Sequence, residues 1–312
     1  MKISIVSTLY KSEKYLDEFL SECLSALTSI DCNDFEFVFV NDGSPDNSVV
    51  FLLEKRKTIK PITIIDLSRN FGHHYAIQAG LLYAKGDFVL LIDNDLETSP
   101  KVLIDFYNQI KSNPNLDMVF GYQEKRKGGF IEKNFGNLFY KVFNLFSEIK
   151  IPENILTERL MSKKYVQELA ALPDKNIFFA GLMQWVGFNQ LGIPIKKQNR
   201  KGGSTYTFRK RINLMINAIT SFTAYPLKIL FNLGILISMG SVVASLVLIA
   251  RKIIQPERIL SGYTSLTVVI LLSTGLILTA IGVLGIYLEK IFNQVKNRPT
   301  FIIKKIHDYE QN

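Results

Sequence analysis

Short apolar runs alternate with amphipathic stretches through the first part of the chain. Residues 3–9, 35–40, 62–67 and 88–93 are apolar runs of strand length, rich in β-branched and aromatic side chains. Residues 12–27, 47–57, 75–84 and 100–111 carry the apolar positions of one helix face, and 118–122 reads as another strand. Strand and helix in alternation predict a mostly parallel sheet with helices on both faces, because parallel neighbours need a crossover connection between them.

That rhythm ends at the Gly128-Gly129 pair. Beyond it Phe135, Leu138, Phe139, Val142, Phe143 and Phe146 recur at three- and four-residue steps and load one helix face with aromatics. Such a stripe either packs into a core or meets membrane and lipid chains. Residues 209–225, basic at the start and apolar on one face, predict a juxtamembrane helix lying in the interface. Two runs, 229–250 and 259–288, then contain no charged residue. At about 1.5 Å per residue the first covers the roughly 30 Å hydrocarbon core, while the second is long enough to include part of a loop. With only residues 251–258 between them, they predict a transmembrane helical hairpin.

The chain has 312 residues, 47% of them hydrophobic, and a formal net charge of +9. This length accommodates one α/β domain with additional elements. Lys196, Lys197, Arg200, Lys201, Arg209, Lys210, Arg211 and Lys228 precede the first span; Lys290, Lys296, Arg298, Lys304 and Lys305 follow the second. Both clusters place the termini in the cytoplasm, although Arg251, Lys252 and Arg258 in the connector reduce the contrast. The positive charge then belongs to anionic headgroups and phosphate ligands; no nucleic-acid recognition motif is present. The strand-like start is too short, and too soon followed by Lys11 and Glu13, for a signal peptide. Cys23 and Cys32 lack metal-ligand spacing and read as reduced thiols without a catalytic task.

The strand over 88–93 stops at Asp93-Asn94-Asp95, two carboxylates spaced i, i+2 at the carboxyl end of a strand, where an open α/β sheet places its ligand. Two hard oxygen ligands there suit Mg²⁺ or Mn²⁺ holding a diphosphate, the chemistry of a nucleotide-sugar transferase. Three other strand ends deliver Ser7-Thr8-Leu9-Tyr10, Asn41-Asp42-Gly43-Ser44 and Ser68-Arg69-Asn70-Phe71-Gly72 to the same crevice. Asp42 can accept from a base N–H or a ribose hydroxyl, and Arg69 can pair with phosphate.

These motifs resemble family 2 glycosyltransferases of the GT-A fold, in the branch of polyprenyl-phosphate sugar transferases. The resemblance is carried by Val-Asn-Asp-Gly-Ser-Pro-Asp at 40–46, Leu-Ser-Arg-Asn-Phe-Gly at 67–72, Ala-Ile-Gln-Ala-Gly at 76–80, Ala-Lys-Gly-Asp at 84–87 and Ile-Asp-Asn-Asp-Leu at 92–96. Trp-Val-Gly-Phe at 185–188, Gly-Gly-Ser-Thr-Tyr at 202–206 and Ile-Thr-Ser-Phe at 219–222 extend it. It implies a Rossmann-like GT-A catalytic domain over 1–208, a juxtamembrane helix over 209–225, two transmembrane helices within 226–290 and a cytoplasmic tail over 291–312. It further implies a multi-pass protein of the bacterial inner membrane with its catalytic domain in the cytoplasm; a homo-oligomer is left open.

By the same resemblance, Thr8, Tyr10, Asp42, Arg69, Asn70, Gly72 and Asp93 bind the nucleoside-diphosphate sugar, and Asp93 and Asp95 hold Mg²⁺ or Mn²⁺. Arg126 faces phosphate, while Ser204 and Tyr206, with Arg200 or Lys201, hold phosphate near the membrane. The implied reaction inverts the anomeric carbon, moving a hexose or N-acetylhexosamine, UDP-linked in preference to GDP-linked, to undecaprenyl phosphate. Asp95, Arg159 and Glu153 are the implied catalytic set.

The chain departs from the family in three places. Thr8 replaces a proline, and Glu97-Thr98-Ser99-Pro100 stands where the family has Gln-Asp-Pro-Pro. Asn154-Ile155-Leu156-Thr157-Glu158-Arg159 corresponds to Asp-Thr-Gly-Asp-Phe-Arg, so both aspartates are lost and Glu153 or Glu158 is left as the acidic group. Two rival readings stay open: transfer to a sugar on a lipid-linked glycan, and a membrane partner that binds nucleotide sugar without turnover.

Overall fold

The computed structural model describes residues 1–124, 140–147, 149–175, 178–197, 216, 218–254 and 263–309. Its strands are β1 (Ile3–Leu9), β2 (Phe35–Asn41), β3 (Ile62–Leu67), β4 (Phe88–Leu91), β5 (Met118–Tyr122), β6 (Ile155–Ser162), β7 (Gln190–Pro194) and β8 (Ile303–His307). Its helices are α1 (Glu13–Ser29), α2 (Ser48–Lys55), α3 (His73–Tyr83), α4 (Val102–Ser112), α5 (Lys163–Ala171), α6 (Phe179–Trp185), α7 (Tyr225–Ile254) and α8 (Tyr263–Val295).

One sheet contains all these strands in the order β7-β5-β6-β4-β1-β2-β3-β8. Pairings β1–β2, β2–β3, β1–β4 and β5–β7 are parallel; β6 runs antiparallel to β4 and β5, and β8 antiparallel to β3. The sheet is therefore mostly parallel. Its central strands are buried on both faces, which is why they read as continuous apolar runs. Ile5, Phe37 and Phe39 face Leu16 and Phe19 of α1 and Phe106 of α4 on one side. Their neighbours Val6, Val38 and Val40 face Ala76, Ile77 and Ala79 of α3 and Tyr165 of α5 on the other. Cys23 and Cys32 are free and buried, in agreement with the sequence.

The second half corrects several expectations. Residues 140–146 are helical, and Phe143 is wholly buried against Phe178 and Phe222, so the core reading of the aromatic stripe holds at that position and the membrane reading does not. Phe135, Leu138 and Phe139 lie outside the described residues. In the expected juxtamembrane segment, Ala218 and Phe222 also pack onto the domain, whereas Ile216 is exposed.

Helix α7 covers the first charge-free run, and α8 covers the second from residue 263 onward. Within α8, Ser273–Val295 is long and apolar enough to cross a membrane; Tyr225–Ile237 of α7 is a shorter apolar stretch. Large side chains such as Phe231, Leu236 and Leu278 are open at their surface. The C-terminal end of α8 is bonded to the α/β domain, where Gln294 donates to the Pro173 carbonyl at 2.9 Å and accepts the Lys175 N–H at 3.1 Å. Residues 303–307, expected as part of a free tail, form β8 on the edge of β3, extended by the Ser68 N–H to Ile302 carbonyl bond at 2.9 Å.

Candidate active site

The parallel register sets the carboxyl ends of β1, β2, β3 and β4 side by side: Leu9 pairs with Asn41, Asn41 with Asp66, and Val6 with Leu91. The loops leaving these strands consequently meet at one edge of the sheet, as the motif positions predict. Asn94 joins the first and fourth loops by donating its amide to the Thr8 carbonyl at 2.8 Å.

Asp42 joins the second and third. Its Oδ1 accepts the Phe71 N–H at 2.7 Å, its Oδ2 accepts the Gly72 N–H at 3.0 Å, and its carbonyl accepts the Asn70 amide at 2.9 Å. Burial raises the Asp42 pKa, and the two backbone N–H groups oppose the rise. Gly43 lets the loops approach this closely. Its φ is +61°, and a Cβ there would lie 2.6 Å from the Asn70 nitrogen. Arg69 stacks over the Phe71 ring at 4.0 Å and donates to the Asn70 carbonyl at 3.0 Å, with the rest of its side chain exposed. Tyr10 is exposed at the lip.

Asp93 and Asp95 lie on the loop after β4. The pKa of Asp93 is pushed up to about 6, first by burial and then by the Asp95 charge; Lys197 and Thr157 oppose the rise. Asp95 Oδ1 accepts the Glu97 N–H at 3.0 Å, fixing the turn. No group of three or more His, Cys, Asp or Glu side chains that could hold a metal occurs among the described residues. Two carboxylates fit Mg²⁺ or Mn²⁺ only where a ligand's phosphate oxygens and water complete the shell, and the repulsion between Asp93 and Asp95 is what a cation there would relieve.

His73 was not singled out by sequence, because the predicted helix began two residues later. Its Nδ1 lies 3.0 Å from Thr8 Oγ1 and its Nε2 3.5 Å from Asp93 Oδ1, so it links the first loop to the acidic pair. The signal was two adjacent histidines directly after the Ser-Arg-Asn-Phe-Gly loop, in a chain with three histidines.

Of the two acidic candidates, Glu153 is exposed before β6, whereas Glu158 is buried in it. Burial and then the Asp93 charge raise the Glu158 pKa. Arg159 lies inside the core, its guanidinium donating to the carbonyls of Thr157 and Leu156 and to Met183, with its pKa lowered by burial to about 10. Enclosed in this way it braces β6, and its influence on Asp93 is electrostatic. Arg126, Arg200, Lys201, Ser204 and Tyr206 lie outside the described residues. Lys197, expected within a basic stretch facing lipid, instead pairs with Glu97 at 3.0 Å.

Comparison with known proteins agrees with this architecture. The model of the family described as "Glycosyl transferase family 2" matches residues 4–170. The chain is 38% identical over 308 residues to a protein of Mycobacterium tuberculosis described under "Putative glycosyltransferases", covering 98% of this chain and 89% of that protein. It is 34% identical to an uncharacterised glycosyltransferase of Bacillus subtilis, covering 99% of this chain and 95% of the relative. It is 33% identical to a prophage-derived bactoprenol glucosyl transferase of Shigella flexneri, covering 98% of this chain and 99% of the relative.

Proposed function

Because the chain belongs to glycosyl transferase family 2, we propose that it moves a sugar from a nucleoside diphosphate, UDP in preference to GDP, to undecaprenyl phosphate at the cytoplasmic face of a bacterial membrane. The observation that carries this reading is the meeting of the Asp42 loop with the Asp93–Asp95 loop at one sheet edge. A nucleotide needs a polar anchor for its base or ribose and, a short distance away, a neutralised place for its diphosphate. The paired loops offer both.

Asp42 and Tyr10 would bind the nucleoside, and Arg69 the phosphates. A Mg²⁺ or Mn²⁺ ion held by Asp93 and Asp95 would supply charge neutralisation for the leaving diphosphate. In the transfer step a phosphate oxygen of the lipid attacks the anomeric carbon. The bond from that carbon to the diphosphate oxygen breaks, and the nucleoside diphosphate leaves with the electron pair. A phosphate monoester is already largely ionised at neutral pH, so alignment and charge stabilisation outweigh proton abstraction. Arg126, Arg200, Lys201, Ser204 and Tyr206 are proposed to hold the acceptor phosphate.

The lipid acceptor draws support from the Shigella flexneri relative's printed name and from the apolar helices. A hairpin of two crossings draws support from β8. Strand pairing requires β3 and β8 to share a compartment, so the chain between them crosses the membrane an even number of times. If α8 crosses, a second crossing is needed, and α7 is the helix proposed to make it.

The test is incubation of purified full-length protein with a panel of nucleotide sugars and a short polyprenyl phosphate, followed by mass measurement of the lipid. A polyprenyl phosphate heavier by one glycosyl residue supports the reading. Transfer to a soluble sugar, with none to polyprenyl phosphate, overturns it.

A further inference from the structure

The chain's departures from its family lie together in space. Thr98, on the turn after the acidic pair, approaches Glu158 of β6, and Lys197, which follows β7, approaches both Glu158 and Glu97 of that turn. Lys197 Nζ lies 3.0 Å from Glu97 Oε2, and the backbone N–H of the same Glu97 donates to Asp95 Oδ1 at 3.0 Å. Glu158 is 1% exposed and Thr98 2% exposed. Among the described residues, Glu158 Oε2 has no hydrogen-bond partner within normal range, and the Thr98 hydroxyl beside it opposes the rise in the Glu158 pKa. Four carboxylates, Asp93, Asp95, Glu97 and Glu158, thus crowd one corner of the sheet. Arg159 reaches Glu158 and Asp93 only through space, since its donors point at carbonyls and Met183. Among the described residues, Lys197 is the ammonium that enters the group.

We propose that Lys197 is a positioning residue of the transfer reaction: through its ion pair with Glu97 it fixes the turn that presents Asp95 to the donor diphosphate, while offsetting the buried charge of Glu158. This rests on the reading of Asp93 and Asp95 as metal ligands. The pathway is short and local: Nζ of Lys197 to the Glu97 carboxylate, and the Glu97 backbone N–H to the Asp95 carboxylate. A lysine so placed is withdrawn from the lipid-facing role that its neighbours in the basic stretch could serve. The shift of Lys197 agrees, since the Glu158 and Glu97 charges raise its pKa against the lowering effect of burial.

The experiment is a double-mutant cycle on K197M and E97A in the full chain, reading turnover and, separately, the Mn²⁺ dissociation constant with UDP present, taken from the spin-resonance signal of free Mn²⁺. Each single variant should lower kcat/KM for the nucleotide sugar about tenfold and raise that dissociation constant, and the double variant should be little worse than either. K197R, which keeps the charge, should recover most of the loss. A purely through-space effect would instead tighten Mn²⁺ binding in K197M, because a nearby positive charge is removed. That result overturns the proposal, as do additive losses or an effect confined to the lipid-phosphate KM. Should K197M fail to fold, E97A must by itself raise the Mn²⁺ dissociation constant. Wild-type activity indifferent to EDTA would reject the metal reading itself, and the coupling of Lys197 to Glu97 would then be judged from donor kcat/KM alone.

Discussion

The carboxylate of Asp42 accepts the backbone N–H of Phe71 at 2.7 Å, welding the loop after β2 to the loop after β3. A residue expected to touch the nucleotide therefore also builds the pocket that would receive it. Asp42→Asn would turn an amide N–H toward the Gly72 N–H or else give up the Phe71 bond. We expect a stability loss of about 1–3 kcal/mol, the cost of an unsatisfied buried donor, visible as a lowered Tm. The nucleotide-sugar KM should rise and the lipid-phosphate KM should stay nearly constant. An unchanged Tm with unchanged donor KM would contradict both roles.

Gly43 supplies a purely steric test of the same junction. Gly43→Ala combines a left-handed φ with a Cβ 2.6 Å from the Asn70 nitrogen, whereas Gly187, also at positive φ, has nothing within 4 Å of an added Cβ. Gly187→Ala should cost about 1–2 kcal/mol for the backbone conformation alone. Gly43→Ala should cost more, because backbone cannot turn aside as a flexible side chain does. Urea unfolding of the full chain, followed through the signal of its α/β domain in both variants, measures the difference; equal losses would show that the loops can separate freely.

Among the described residues Asp95 is tied only to its own turn, through the Glu97 N–H, so Asp95→Asn should keep the wild-type Tm. If it is a metal ligand, turnover should fall by orders of magnitude, and EDTA should abolish wild-type activity with recovery on added Mg²⁺ or Mn²⁺. A near-normal rate for the variant would remove Asp95 from the metal site.

The first four strands and the edge they share were legible because both faces are buried: the strands read as unbroken apolar runs, and each ends in a polar cluster. Asp42, Arg69, Asp93 and Asp95 were found from that rule together with family motifs. His73 and Lys197 were not. Their partners, Thr8 and Glu97, are far away in sequence, and only the start of α3 and the parallel pairing of β7 on β5 bring them in. Glu153 and Glu158 looked equivalent by composition, and what separates them is where β6 begins: Glu153 stands in the turn before it, whereas Glu158 lies within it, between β4 and β5. β8 was missed because an edge strand rich in lysine carries no apolar run, and its partner lies on the other side of a predicted membrane hairpin in sequence.

The even number of crossings required by β8 gives the last prediction. If α7 and α8 form a hairpin, residue 257 lies outside the membrane, whereas residue 298 lies on the same side as the catalytic domain. Cys23 and Cys32 are suitable silent background: both are buried, and burial raises both thiol pKa values, which lowers thiolate reactivity. In intact cells stripped of their outer membrane, a membrane-impermeant maleimide should label Glu257→Cys at once and Arg298→Cys only after lysis. Deletion of residues 303–307 should leave this pattern unchanged, because the apolar helices and their basic flanks set insertion, yet it should lower the Tm of the catalytic domain by uncovering the edge of β3. Labelling of Arg298→Cys before lysis would leave a single crossing, which strand pairing between β3 and β8 forbids; the pairing and the hairpin would then fall together.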